Sequence, residues 1–375
     1  MDDCSMDVLP VDLEQFWRDD ELAHRENCFY AQSPQVALGI RMSDECVFSE
    51  LNEYGEQWGY TPVTRRIELN KRYNDKSERI VGKRLLEESF LPENASFPCI
   101  KRIGEVFGGQ YVWYNGTEWL KGNISTPGEL EDRLNVIEKM NLREFMLPDN
   151  WEAECRRIYQ TYGIRPPCCY GVRGPITLAC SIAGIENLIF LLMDERELAE
   201  RFSKVIGDVI IAMKEIIDAE NGSNDVRGFG FADDNCCMLN PDMYEQFGYP
   251  ILKRVFERFC PGETDMRYQH SDSAMGHLLP TLGRLDLTGV NFGPTVLVDE
   301  IRTYLPHARI DGCIAPFTFM GKDKQKLINE VKRDCAMAKQ YGKGVNIDTA
   351  GSINDGSSLE NMRTVMWAIQ SYGRY

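Results

Sequence analysis

Thr264-Asp265-Met266-Arg267 reads as a short β-strand, and it runs on into Tyr268-Gln269-His270-Ser271-Asp272. Ala274 to Leu279 then reads as a short helix that Pro280 ends. A strand that finishes in His-x-Asp and turns into a helix is the unit by which a parallel barrel exposes side chains to substrate. Side chains on a strand repeat every second residue, so His270 and Asp272 can face the same way. Such a pair can hold a metal, move a proton or simply hydrogen-bond. Two of the four histidines of the chain, His270 and His277, lie in this stretch.

Composition narrows the classes of function. The chain has 375 residues, 43% of them hydrophobic, enough for a sizeable core. No run is long and apolar enough to span a bilayer. The beginning, Met1-Asp2-Asp3-Cys4, lacks the basic-then-apolar layout of a secretory signal. The expected setting is cytoplasmic. The formal net charge of -16 argues against nucleic acid or an anionic membrane as partner, since both are held by basic patches. The thirteen cysteines include no C-x-x-C; only Cys168-Cys169 and Cys236-Cys237 are adjacent. This favours free thiols in a reducing compartment over a disulfide framework or a cysteine-rich cluster.

Outward from the His270 strand, the chain divides by rhythm. Residues 1–125 read as an N-terminal elaboration. Asp12 to His24 and Cys46 to Trp58 read as helices, and Ile67 to Leu69 as a short strand. A β-hairpin is expected near residues 99–120, where Asn115-Gly116 sits between aromatic and β-branched residues. Thr126-Pro127-Gly128-Glu129 opens a helix, with Thr126 as N-cap and Pro127 at the first helical position. The aromatic residues of the first sixty positions fill a core or wall a pocket for a flat apolar ligand.

From about residue 150 short strands alternate with amphipathic helices. Trp151 to Tyr162 is a helix that ends near Gly163, Pro167 to Gly171 a strand, and Pro175 to Ala183 a helix. Leu198, Phe202, Val205, Ile206, Val209, Met213, Ile216 and Ile217 mark one face of a long helix. Val226 to Ala232 is a strand, followed by a helix that starts at Asn240-Pro241. Further strands are expected at Leu285–Val290, Ala308–Ile314 and Gly344–Thr349, with helices over Val296–Leu305 and Asp323–Tyr341 between them. Ser357-Ser358-Leu359-Glu360 has capping-box spacing for the last helix. Strands separated by helices of this length imply crossover connections and a parallel sheet. The expected fold is therefore α/β: one (β/α)8 TIM barrel over residues 1–375, with residues 150–375 forming most of it. A doubly wound open sheet is the rival, weakened by the lack of a G-x-G-x-x-G or P-loop motif.

Several strand ends carry chemistry. Asp233-Asp234-Asn235 follows one predicted strand; the two aspartates can bind a metal, accept substrate hydrogen bonds or cap the next helix. Cys313 stands at another strand end. Tyr170 and Arg173 lie near a third, where Arg173 can pair with a substrate anion. His277 reads as structural, and Cys236-Cys237 as small buried hydrophobes.

The second half also resembles a known family. The order is Gly174-Pro175-Ile176-Thr177-Leu178-Ala179 with Gly184, then Phe231-Ala232-Asp233-Asp234-Asn235, Asn240-Pro241-Asp242-Met243-Tyr244 and Pro250-Ile251-Leu252-Lys253. His270-Ser271-Asp272, Asp311-Gly312-Cys313-Ile314-Ala315-Pro316 and Ser358-Leu359-Glu360-Asn361-Met362 complete it. Together these resemble the uroporphyrinogen decarboxylase superfamily, which includes cobalamin-dependent methyltransferases. The resemblance implies a (β/α)8 barrel and, commonly, a homodimer. The decarboxylase's N-terminal arginine-rich loop has no counterpart here: Arg65-Arg66 and Arg102 lie in unlike surroundings. The family's zinc methyltransferases carry His-x-Cys and a distant third Cys. Here His270 matches the His, Asp272 occupies the first Cys position, and Ala350-Gly351-Ser352 falls at the second. Soft thiolates suit thiol activation, whereas His and carboxylate suit a more Lewis-acidic metal or acid–base work.

These departures point to the substrate-demethylating branch. The expectation is a methyltransferase component that moves a methyl group from an O-methyl or N-methyl small molecule to a Co(I) corrinoid (cobalamin) on a partner protein. His270, Asp272, Asp234 and Asp233 are the candidate catalytic residues. Tyr170, Arg173 and Asn235 are the candidate substrate-binding residues. His270, Asp272 and Cys313 are the candidate ligands for a metal, with zinc expected. The alternatives are a lyase that decarboxylates a small carboxylated substrate and a barrel that only binds.

Overall fold

The computed structural model describes residues 9–43, 45–53, 61–114, 117–165, 168, 172–222, 228–353 and 355–375. Among the described residues there are eight strands: β1 (Ala37–Leu38), β2 (Gln110–Tyr114), β3 (Thr117–Lys121), β4 (Gly228–Ala232), β5 (Met266–Ser271), β6 (Gly289–Phe292), β7 (Arg309–Ile314) and β8 (Val345–Thr349). The chain divides into two compact units, one of residues 1–90 with 289–375 and one of residues 91–288. The architecture is α/β with parallel strand pairing, as the alternating pattern requires. Among the described residues the strands do not close into a ring. The expected strand Pro167–Gly171 lies almost wholly outside the described residues; beyond it, Arg173 makes one parallel bridge to Ala232.

In the first unit, β1 pairs with β8, β8 with β7 and β7 with β6, all parallel. Side chains cap some of the helix starts, and at the last helix the cap falls on Ser358, one residue after the Ser357 that the capping-box spacing implied. Asp12 opens Leu13–Ala23 by accepting the Gln15 N–H, Asp323 opens Lys324–Tyr341 by accepting that of Lys326, and Ser358 opens Leu359–Tyr372 by accepting that of Asn361. Each cap satisfies an otherwise orphaned helix donor. The helix begun at Cys46 stops at Leu51, where Asn52 takes a left-handed conformation; the remainder of the expected span to Trp58 reaches undescribed residues. Ile67 to Leu69 is no strand: it lies inside the helix Val63–Val81, which buries Leu69, Tyr73 and Val81. The helical spacing of those buried positions over nineteen residues outweighs a three-residue β signal. The strand expected at Leu285–Val290 starts later, at Gly289, because Asp286 takes a left-handed turn.

One face of this sheet is polar. Paired strands place partners on the same side, so Asn291, Arg309, Asp311, Asn346 and Asp348 share it. The Arg309 guanidinium donates to both Asp311 carboxylate oxygens, at 2.8 and 2.9 Å. Asn346 Nδ2 donates to Asp311 Oδ1 at 2.9 Å. Asp348 has no such arginine partner on its oxygens. Burial, joined by the negative charge of Asp311, pushes its carboxyl up to about 7; the Thr349 N–H and the charges of Arg41 and Arg309 oppose this.

In the second unit, β2 and β3 form the expected antiparallel hairpin; its Asn115-Gly116 turn lies outside the described residues. Thr126 and Glu129 close a reciprocal capping box on Pro127–Ile137. Trp151–Tyr162 ends at Gly163 with φ 66°, and Arg196–Asn221 at Gly222 with φ 66°. Pro280 does not end a helix. It opens the short helix Leu279–Leu282 from the first turn, where its missing N–H costs nothing. β4 and β5 pair in parallel, with Gly230 opposite Tyr268 and Ala232 opposite His270.

The Asp348 carboxyl sets a pH prediction. Its folded value lies above its ordinary 3.8, so the folded chain holds a proton that the unfolded chain has released. The stability this contributes is complete below pH 3.8 and is lost as pH rises through about 7. Asp348→Asn is expected to flatten that decline. Relative to wild type it should gain up to about 4 kcal/mol between pH 4 and pH 8, one pKa unit being worth about 1.4 kcal/mol. Thermal unfolding of both proteins across that range checks it.

Candidate active site

The site begins with an alternation. In Gly228-Phe229-Gly230-Phe231-Ala232, the two phenylalanines are buried while Gly230 and Ala232 are exposed. Phe231 packs edge-on against Phe256, at 5.6 Å between ring centres, and Phe229 stacks on Phe259 at 5.9 Å. These contacts fix one face of β4 against the helix Pro241–Phe259. The opposite face carries only small side chains. In register beside it, β5 presents Tyr268 and His270 to that open face and buries Gln269 and Ser271 on the other. His270 is therefore reachable because Phe229 and Phe231 claim the far side.

At the ends of these two strands, Asp234, His270 and Asp272 come together. One ligand atom from each lies within 4.8 Å of those of the other two. His270 Nε2 is 3.7 Å from Asp234 Oδ1, and the Asp272 N–H donates to that same oxygen at 3.2 Å. Burial and the neighbouring Asp234 charge hold the Asp272 carboxyl above its ordinary range, against the pull of His270. Two carboxylates and an imidazole at this spacing fit a divalent cation that prefers hard donors.

Asp233 is occupied differently. It is fully buried and caps the helix Pro175–Ala183 from another segment. The Thr177 N–H donates to its Oδ1 at 2.7 Å, the Thr177 hydroxyl to the same oxygen at 2.9 Å, and the Ile176 N–H to Oδ2 at 3.2 Å. Its own N–H donates to the His270 carbonyl at 3.0 Å. A Cβ at Gly174 would lie 2.1 Å from Asp233 Cβ, so only glycine allows the approach. Burial pushes the Asp233 carboxyl up to about 6, opposed by these donors. With both oxygens engaged, Asp233 positions its neighbours and does not present itself to substrate.

The remaining expected residues divide. The Asn235 N–H donates to Thr177 Oγ1 at 3.2 Å, and Asn235 lines a hollow of about 490 Å³ with Cys180, Ser181 and the hairpin face of Val112, Tyr114, Trp119 and Lys121. The charge of Arg173 is felt at Tyr111 and Glu118, on the hairpin's other face. Tyr170 lies outside the described residues. Cys313 does not join the metal group. It belongs to the other unit, is fully buried, and burial pushes its thiol well above its ordinary value, so it stays protonated. His277 Nε2 lies 2.8 Å from the Leu239 carbonyl oxygen, a structural contact. Cys236 is buried and donates to Ser271 Oγ. Sequence reasoning missed Thr177 and the hollow. The hairpin alternation that places Val112, Tyr114 and Trp119 on one face was a readable signal for the second.

The uroporphyrinogen decarboxylase (URO-D) family matches residues 97–372. The chain belongs to the URO-D family. A methyltransferase from Methanosarcina mazei has a similar fold, with TM-score 0.55 at 15% identity over 88% of this chain and 92% of the other. A B12-independent methionine synthase from Shewanella sp. W3-18-1 aligns at TM-score 0.39 and 11% identity, over 82% of this chain and 86% of that one. No curated protein matches the chain. Asp234 and Asp272 follow the carboxyl ends of the parallel strands β4 and β5, the end at which parallel sheets hold their ligands. Among the described residues no single helix is long and apolar enough to cross a membrane. The pair Pro175–Ala183 and Ile185–Asp194 reaches that length only jointly, with a 103° bend.

The clamp on Asp233 is testable. Thr177→Val keeps the shape of the side chain but removes the hydroxyl that donates to Asp233 and accepts from Asn235. A loss of about 1–3 kcal/mol is expected for a buried group left short of partners. Thermal unfolding reads it; a stability unchanged by this variant would leave Asp233 without the structural role.

Proposed function

We propose that this URO-D family chain is the methyltransferase component of a corrinoid-dependent demethylating system. The observation that carries the reading is the Asp234, His270 and Asp272 group, joined through Asn235 to an aromatic-walled hollow. A (β/α)8 barrel over residues 1–375, with residues 1–125 as its elaboration, is the architecture on which we base it. The similar fold of a methyltransferase agrees with it.

The methyl donor binds with its apolar body against Tyr114 and Trp119 and its heteroatom toward Asp234. Much of the rate gain comes from holding the methyl carbon in line with its acceptor. In the transfer, the bond from carbon to oxygen or nitrogen breaks and the heteroatom keeps the electron pair. A Co(I) corrinoid on a partner protein would supply the nucleophile that accepts the methyl carbon. His270, Asp234 and Asp272 would hold a divalent metal such as zinc, which would supply Lewis-acid polarisation of the donor heteroatom. The donor set lacks the thiolates that favour thiol activation, and this separates the reading from methyl transfer to a thiol. Asp233 keeps Asp234 in place through its grip on the Pro175–Ala183 helix.

Two measurements test this. Purified chain with a Co(I) corrinoid protein and a panel of methoxy-aromatic and methylamine compounds is expected to demethylate at least one. Transfer from none would sink the proposal, and carbon dioxide release from a carboxylated substrate would replace it with the lyase. Metal analysis is expected to find about one divalent ion per chain, lost in His270→Ala and in Asp272→Asn together with a drop in activity of about a hundredfold or more.

A further inference from the structure

A second cavity lies wholly within the first unit, with a volume of about 1010 Å³. This is at the upper end of the range of small-molecule pockets. Its apolar lining comes from Leu13, Leu38, Ile40, Met42, Leu85 and Met362. Five basic side chains also line it, Arg18, His24, Arg41, Lys83 and Arg84, against three acids, Glu14, Asp20 and Glu21. A basic excess is unexpected on a chain of net charge -16.

Most of these charges are already matched. Arg18 pairs with Glu14 at 2.9 Å. Arg84 is held by Asp75 and Glu78 at 2.8 and 3.3 Å, and by Glu88. Asp20 accepts the Leu38 N–H at 2.8 Å and lies 3.4 Å from His24 Nε2. That contact raises His24 to about 10, so its imidazole stays charged at neutral pH and faces Asp20. Two cations remain. Among the described residues Arg41 has no hydrogen bond or ion pair; its charge is felt only at a distance, at the buried Asp348 carboxyl. Among the described residues Lys83 has no carboxylate partner; it stands 4.5 Å over the Trp17 ring. Trp17 is itself fixed, its Nε1 donating to the Val81 carbonyl at 2.7 Å. An apolar floor with two available cations suits a ligand that has an apolar body and one anionic group.

We propose that this cavity binds a small amphipathic carboxylate, its apolar body on the Leu, Ile and Met lining and its anionic group held by Arg41 and Lys83. The site shares no residue with the Asp234, His270 and Asp272 group and does not depend on the proposed methyl transfer.

Isothermal titration of the full chain tests it with octanoate and 2-naphthoate, and with 1-octanol and 2-naphthol as neutral counterparts. At least one acid is expected to bind, about tenfold or more tighter than its alcohol. The tighter acid tells whether the natural body is aliphatic or aromatic. The double variant Arg41→Gln, Lys83→Gln is expected to erase the preference for the acid. Both positions carry charged side chains outside the core, and circular dichroism confirms that the variant is folded. A variant that fails to fold is replaced by a salt titration of the wild type, in which the acid must weaken with ionic strength and the alcohol must not. Equal binding of acid and alcohol, or a preference untouched by both variant and salt, overturns the proposal.

Discussion

A buried carboxylate holds the site together. Asp233 sits at the end of β4 with no access to water, and its oxygens take three donors from the start of a helix that lies 56 residues earlier in the chain. An ionised carboxylate without partners would be very costly in such a place. Three donors from Ile176 and Thr177 supply what water would have given. The helix gains as well, since its first N–H groups have no partners of their own and its positive end meets a negative charge. Gly174 is the steric condition for the contact. Once that clamp is set, the next residue, Asp234, projects where β5 delivers His270.

The neighbouring constraint is the two-sidedness of the strands. Phe229 and Phe231 bury themselves against Phe256 and Phe259. Alternation then hands the opposite face to glycine and alanine, and the register with β5 places His270 beside Ala232. The large aromatic contacts on one side thus create the open, polar surface on the other. The hairpin follows the same logic: pairing of Val112 with Trp119 brings one aromatic face to the hollow beside Asn235.

Chemistry follows from which atoms these constraints bring together. Asp234, His270 and Asp272 form a hard, anionic set of donors. The buried thiols do not share in it: burial lifts both Cys236 and Cys313 far above the range in which a thiolate forms readily. The cysteines of the described residues are all free. No cysteine of the described residues joins this group, so its donors are two carboxylates and one imidazole.

Local chemistry is what the sequence by itself determined. Thr126, Asp323 and Ser358 cap helices because a side-chain oxygen meets a backbone N–H three residues on, within one turn. Gly163 and Gly222 end helices because only glycine takes a left-handed conformation freely. The strand ends carrying His270, Asp272 and Asp234 were legible for the same reason, along with the family pattern around them. Ile67–Leu69 misled because three residues hold too little of a period to separate strand from helix. Tertiary structure alone decided that Asp233 serves the fold while Asp234 faces the opening, although the two are adjacent and chemically identical. It also decided that Cys313 is walled in and that the hairpin aromatics line a hollow. Nothing within a few residues of these side chains encodes such differences. They depend on partners dozens of positions away, and on which face of a strand the larger side chains claim first.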